Sequence, residues 1–273
     1  MKHIGGGVVL FPQIVTVPDE IIEELHDMAE DAFNEGYEFT YDENGEIVSG
    51  INLSGHTIEK EGLFSDPVRI AGPKVVLNPD FFGKCDTALY QCLLEYFSLF
   101  PDAFPCVWWE IAGHVAYYRT GSKYGVHCDN DVNYAYGDFP VDQSALNQVI
   151  SCSLVLNDNF EGGHMAFKYL DLDVELQKGD ALFFPSNYMA THEVTEITSG
   201  DRYSYLCNFA QGSPAHDRNI IITDYRQPGL QGKTWLPYLA HDFRKHLENE
   251  NKPIPLVLAV SYTHLTLPTI LLV

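Results

Sequence analysis

The sequence predicts a mainly β protein with flanking helices, its strands folded into a double-sheet jelly roll. Three observations carry that prediction. Between Val107 and Phe209 the apolar period shifts towards two, with aromatic and β-branched residues enriched. Gly, Asp and Asn turns cut the same stretch into short strands. Ahead of it, two segments carry apolar residues at helical spacing, which suits helices packed on the outer face of a sheet.

In order along the chain, Val8 to Val17 reads as an opening strand. Pro18 starts a helix, because proline at the first helical position gives up no hydrogen bond. Ile21, Ile22, Leu25, Met28, Ala29 and Phe33 then recur at helical spacing as far as Gly36. The DENGEI turn, Asp42 to Ile47, predicts a hairpin in the less regular stretch that runs to Ile70. Asn78-Pro79 is a helix start: a capping side chain followed by a first-turn proline. Phe82, Cys85, Leu89, Cys92, Leu93, Tyr96 and Phe97 form one face of that helix, which ends near Pro101. An aromatic stripe at this spacing is read as core. Strands are expected at 107–111, 115–119, 149–156, 164–167, 181–184, 192–194 and 202–209, and a last helix around 236–247.

These elements divide the chain into an N-terminal strand with supporting helices at 1–103, the barrel at 104–212 and a C-terminal loop and helix at 213–252. The remainder, 253–273, lacks Asp, Glu, Lys and Arg altogether. Its SYTHLTLPT stretch, Ser261 to Thr269, resembles a translated sequencing adapter, so this tail is expected to be non-native.

The 273 residues carry 16 Lys+Arg against 38 Asp+Glu, a net charge of -22. A phosphate backbone or an anionic membrane surface would be repelled, which argues against nucleic-acid and membrane partners. Peptides and small molecules remain open as substrates. The six cysteines show no C-x-x-C pair, and in a chain of this size they read as buried reduced thiols. With no secretory leader or clear membrane span in view, the cytoplasm is the expected location.

The stretch on which the chemistry turns is YRTGSKYGVHCDN, Tyr118 to Asn130. If it is a strand, His127 and Asp129 share a face, because side chains two residues apart point the same way. An imidazole and a carboxylate then converge on one point, with Cys128 turned away. Two His and one carboxylate on one face of a metal leave its other face open, as in non-heme Fe(II) oxygenases. The third ligand must come from elsewhere in the chain.

A second stretch supplies it. In FFPSNYMATHEVTEITSGDRYSYLCNF, Phe183 to Phe209, His192 precedes Arg202 by ten residues, across a turn at Thr198 to Asp201. Together with Gly121, LND (Leu156 to Asp158), EGG (Glu161 to Gly163) and QKGDALFFPS (Gln177 to Ser186), these blocks resemble the 2-oxoglutarate- and Fe(II)-dependent dioxygenases. Within that superfamily the chain looks most like the prolyl 4-hydroxylase-like branch. The resemblance covers roughly Val107 to Phe209 and implies a double-stranded β-helix core.

It implies more about individual residues. His127, Asp129 and His192 would be the catalytic Fe(II) ligands. Related halogenating enzymes have lost the carboxylate; Asp129 is retained here, so hydroxylation is expected. Arg202 would hold the distal carboxylate of 2-oxoglutarate through two parallel charge-assisted hydrogen bonds. Ser204, two residues along the strand, and Tyr118 would add hydroxyl contacts, while Asn208 falls on the same face with no assigned role. Prolyl 4-hydroxylases proper often carry Lys where this chain has Arg202, a departure that loosens the tie to that subgroup. The EGG turn is read as architectural. The cofactors implied are Fe(II), 2-oxoglutarate and O2, with ascorbate as a candidate reductant.

Substrate identity is less legible. Tyr134, Tyr136 and Phe139 lie just beyond the H-x-D pair, where they would either grip a substrate or pack on the barrel rim. A nucleic-acid demethylase of the same superfamily fits poorly, since Asn208 stands where such enzymes carry a second Arg. The leading expectation is hydroxylation of a peptidyl prolyl or similar side chain. The alternatives are a free amino acid or small metabolite as substrate and, from a different class, a non-catalytic cupin-like binding or sensing module.

Overall fold

The computed structural model describes residues 1–35, 37–44, 47–52, 57–59, 68–70, 77–130, 146–212 and 233–258. The aromatic segment around Tyr134, the loop at 213–232 and the tail from 259 lie outside the described residues.

The chain opens with β1 (Lys2–Gly5) and β2 (Val8–Phe11), then α1 (Asp19–Glu35). The opening strand therefore stops at Phe11, short of the expected Val17. A side hairpin follows, β3 (Tyr37–Tyr41) pairing with β4 (Ile47–Asn52), and β4 with β5 (Thr57–Glu59). After β6 (Val68–Ile70) comes α2 (Pro79–Leu99). Its cap is the expected one: the Asn78 side chain accepts from the Phe81 N–H at 3.1 Å, with proline in the first turn.

The barrel strands are β7 (Trp109–Tyr118), β8 (Tyr124–His127), β9 (Leu146–Val155), β10 (Phe160–Gly162), β11 (Met165–Phe167) and β12 (Leu172–Val174). They continue with β13 (Ala181–Pro185), β14 (His192–Val194), β15 (Ile197–Gly200), β16 (Arg202–Gly212) and β17 (Lys233–Trp235). The final helix is α3 (Leu239–Asn249), and Leu258 beyond it is buried in the helix-side core. No helix among the described residues is long and apolar enough to cross a membrane.

Two strand expectations need correction. The predicted strands at 107–111 and 115–119 are one strand, β7. Gly113 lies inside it, where the ladder to β16 shifts register between Leu206 and Asn208, and a strand glycine marks a bulge or close approach rather than an end. The predicted turn at Thr198–Asp201 is mostly strand: β15 pairs with β10, and only the Gly200-Asp201 corner turns.

The large sheet runs β1-β2-β13-β9-β16-β7-β17, with β6 also on β7, and all its pairings are antiparallel. A four-stranded sheet, β12-β11-β14-β8, covers one face. Val155, Leu182 and Phe184 of the large sheet pack there against Met165, Phe167 and Val174 of the small one. On the other face Cys152, Leu154, Phe183, Tyr205 and Phe209 pack against Leu25 of α1, Leu89 and Phe97 of α2 and Phe243 of α3. The result is a double-stranded β-helix backed by a helical layer. Every core strand is sandwiched, so strand alternation decides which side chains enter the barrel. On β16 the odd-numbered Tyr203, Tyr205, Cys207 and Phe209 join the helical core. Arg202, Ser204 and Leu206 must then face the barrel.

Candidate metal and cosubstrate site

Strand register places the two histidines. His192 on β14 pairs directly with His127 on β8 and, on its other side, with Phe167 on β11. The two imidazole centroids are 4.5 Å apart. Phe167 and Phe184 wall His192 at centroid distances of 5.5 and 4.8 Å. Each histidine is also oriented by its main chain: His127 Nδ1 lies 2.7 Å from the Gly125 carbonyl, and His192 Nδ1 lies 3.0 Å from that of Ala190. A carbonyl only accepts, so both Nδ1 atoms carry the proton and each Nε2 is left as the ring's ligating atom.

Asp129 arrives differently from the expectation. β8 ends at His127, and Asp129 lies in the turn that follows, so the pair is not two residues on one strand face. The turn carries the carboxylate round. Its Oδ1 is 3.2 Å from His127 Nε2 and 3.9 Å from His192 Nε2. One ligand atom from each of the three lies within 4.8 Å of the other two.

Electrostatics prepare the set for a cation. Burial alone would raise the Asp129 carboxyl, yet close contact with His127, the charge of His192 and the Ser151 hydroxyl together hold it below its ordinary value. Burial also pulls His192 down, against the pull of Asp129. The outcome is a carboxylate beside a neutral imidazole, which is the donor chemistry a divalent iron accepts.

Arg202 opens β16 and is 1% exposed. Its Nε and Nη2 have no hydrogen-bond partner, and among the described residues no carboxylate pairs with it. It faces Tyr118 across the β16–β7 ladder, with the guanidinium carbon 5.1 Å from the ring centroid. Burial pushes the Tyr118 phenol up to about 12, with Arg202 pulling the other way and Asp129 also within electrostatic reach. Tyr118 thus stays a neutral hydroxyl between the cation and the ligand set. Ser204 is fully buried and its Oγ is likewise unpartnered. A buried cation with open donors beside an idle hydroxyl is costly unless an anion fills it. These residues fit a bound carboxylate.

Three contributions were not foreseen. Asn157 of the LND block brackets Arg202: its Oδ1 accepts from the Tyr203 N–H at 2.9 Å and its Nδ2 donates to the Asp201 carbonyl at 2.6 Å. Gly163, with φ at +66°, does more than turn the chain, because a Cβ there would sit 2.8 Å from Arg202 Cδ. Ser151 and Ser186, both buried, share a 2.8 Å hydrogen bond beside Asp129. The LND and EGG blocks were visible in the sequence, and Ser186 closed the QKGDALFFPS block; nothing distinguished Ser151 from other strand serines.

Comparison with known proteins agrees with this geometry. Residues 113–210 match the 2OG-Fe(II) oxygenase superfamily. A PKHD-type hydroxylase of Xylella fastidiosa (strain 9a5c) is 36% identical over 92 residues, 31% of this chain and 38% of that protein. The chain thus spans well under half the length of the curated relatives it matches. Among solved structures, a viral collagen prolyl hydroxylase from Paramecium Bursaria Chlorella virus-1 aligns at 14% identity and TM-score 0.49, over 76% of this chain and 97% of that one. A Pseudomonas putida prolyl-4-hydroxylase aligns at 18% identity and TM-score 0.43, over 76% and 94%. All of the residues assembled above fall within residues 113–210, the span that matches the 2OG-Fe(II) oxygenase superfamily.

Proposed function

We propose that the protein is an Fe(II)- and 2-oxoglutarate-dependent dioxygenase that hydroxylates an unactivated C–H bond of a peptidyl prolyl or similar side chain, with release of succinate and CO2. The observation that carries this reading is the pairing of a three-residue ligand set with a buried arginine whose Nε and Nη2 donors are open, in one barrel. A metal-binding module alone has no use for Arg202, and an anion-binding module alone has no use for His127, Asp129 and His192. The naming of its relative as a PKHD-type hydroxylase supports the same reading.

In this reaction the iron and 2-oxoglutarate supply the activation of O2, chemistry that no side chain carries. The protein's part is position and exclusion of water. His127 and His192 present Nε2 lone pairs fixed by their Nδ1–carbonyl bonds. Asp129 would add the third ligand atom and its negative charge. Arg202, Ser204 and Tyr118 would hold the distal carboxylate of the cosubstrate, and the buried setting would strengthen each of those bonds. Phe167 and Phe184 close the side behind His192 to solvent.

The test is incubation with Fe(II), 2-oxoglutarate and O2, first without substrate and then with proline-containing peptides and free amino acids. Succinate formation that rises with a peptide, together with a product heavier by one oxygen, is the expected result. Turnover confined to free amino acids would replace the substrate half of the proposal. Absence of succinate from iron-loaded protein under every condition would point to a binding or sensing module instead.

A further inference from the structure

The two histidines and the aspartate are not held alike. Each histidine sits in a paired strand and has its Nδ1 against a main-chain carbonyl. Asp129 has neither support, because the strand has already ended. A carboxylate on a turn has free rotation about its side-chain bonds. A ligand that must keep one oxygen facing two imidazoles needs something to stop that rotation.

The neighbours that do so converge from two other strands. Ser151 lies on β9 and Ser186 just beyond the end of β13, with exposures of 2% and 1%. Their hydroxyls are 2.8 Å apart. Ser186 also takes hold of the turn itself: its carbonyl accepts the Asn130 N–H at 3.1 Å, one residue past the ligand. Its own N–H donates to the Val149 carbonyl at 3.0 Å, which anchors it to β9. Ser151 in turn reaches the Asp129 carboxylate. One small unit therefore grips the turn by its main chain and the ligand by its side chain.

Hydrogen-bonding capacity gives this unit a direction. An ionised carboxylate accepts only, so Ser151 spends its single proton on Asp129. Its oxygen must then accept from Ser186, which donates. We infer that Ser151 and Ser186 form a directional hydroxyl relay that fixes the Asp129 carboxylate for metal binding, with Ser151 as the positioning residue and Ser186 orienting its rotor. The inference rests on His127, Asp129 and His192 being metal ligands, and it extends that reading to residues with no ligand atoms of their own.

The relay predicts a graded, non-additive pattern. Ser151→Ala removes the bond to Asp129. Ser186→Ala leaves Ser151 able to donate but frees its rotor. The double variant Ser151→Ala/Ser186→Ala should match Ser151→Ala alone, since the relay is already broken at the end that matters. Ser151→Cys keeps the volume while offering only a weak donor, so it separates loss of the hydrogen bond from loss of packing.

The experiment is titration of metal-free protein with Co(II), followed through its visible absorption, together with thermal unfolding of the same variants in EDTA. Outer partners of this kind typically contribute about 10- to 100-fold in metal affinity. Ser151→Ala and Ser151→Cys should weaken Co(II) binding by that factor, and Ser186→Ala by less. The metal-free unfolding temperature of Ser151→Cys should stay near wild type. Wild-type affinity in Ser151→Cys would overturn the relay, and so would affinity losses in the two alanine variants that simply add. Failure of wild-type protein to bind Co(II) at all is a separate result, which removes the ligand assignment and the relay with it.

Discussion

Arg202 and Tyr118 face one another across the β16–β7 ladder, the guanidinium carbon 5.1 Å from the Tyr118 ring centroid, while the arginine Nε and Nη2 have no partner. The aromatic face gives the cation partial compensation. It leaves the directional donors open, and those donors are what a carboxylate needs.

Removal of the cation should therefore strike the cosubstrate and spare the metal. Arg202→Ala is expected to cost about 2–5 kcal/mol of 2-oxoglutarate binding, roughly 30- to 5000-fold in affinity. Co(II) or Fe(II) binding should stay near wild type. Arg202→Lys should fall between the two, since an ammonium offers charge without the planar fork. Titration of 2-oxoglutarate against metal-loaded protein measures the effect, and an unchanged requirement in Arg202→Ala would remove Arg202 from the site.

Gly163 tests the same pocket from behind. A Cβ there would lie 2.8 Å from Arg202 Cδ and closer still to Ile197 Cδ1, on a backbone at φ +66°. Gly163→Ala should destabilise the fold by about 1–3 kcal/mol through overpacking and strain. It should also weaken 2-oxoglutarate binding, because Arg202 is what has to move. Urea unfolding and cosubstrate titration read the two effects separately. A variant that loses stability but binds 2-oxoglutarate normally would show that Gly163 serves only the turn.

The sequence made some of this site legible and hid the rest for physical reasons. Tyr118 and Arg202 were readable through the resemblance, and strand alternation, a local rule that β16 obeys, then put Ser204 on the Arg202 face. The H-x-D spacing was readable too, but the reason attached to it was wrong. Asp129 reaches His127 because the chain turns after β8 rather than because a strand continues. The stretches 107–111 and 115–119 were expected as two strands, although the long ladder to β16 carries β7 through the gap between them with a shift in register. Gly163 and Ser186 stood in quoted blocks without any sign of what they touch, and Ser151 was unmarked. Their importance comes from close approaches between β10, β16, β9 and β13, and sequence periodicity does not encode such distances.

Loss of the carboxylate gives a sharper test of the ligand set. Asp129→Gly leaves both imidazoles in place, since each is held by its own strand and carbonyl. Hydroxylation should disappear, and the vacated position should become open to a halide. Measured succinate and product should fall to background, while Co(II) binding weakens without vanishing. Unchanged turnover in this variant would show that Asp129 is no ligand.

The last prediction concerns the far side of the large sheet. Glu110 lies on β7 beneath α2, where Cys207 Sγ approaches its Oε1 at 3.9 Å. Burial first, and then the nearby Asp86, push its carboxyl from 4.5 up to about 7. Asp86 itself is raised by burial, with the hydrogen bond from Tyr205 working against that shift. A group raised in the folded state binds protons more tightly there than in the unfolded chain. Its stabilising contribution is thus complete below about 4.5 and is lost as pH climbs through about 7. Each tenfold change in proton affinity is worth about 1.4 kcal/mol, so the loss is on the order of 2–3 kcal/mol, allowing for the partial exposure of Glu110. His192 is shifted the opposite way for a histidine buried neutral, and it stabilises the fold above pH 6.5. That contribution is common to wild type and any Glu110 variant, so it cancels in their difference. Glu110→Gln, which resembles the protonated acid, should match wild type in urea unfolding near pH 5. By pH 8 it should be the more stable protein. Parallel stability curves from pH 5 to 8 would mean that Glu110 titrates normally and that water reaches it beneath α2.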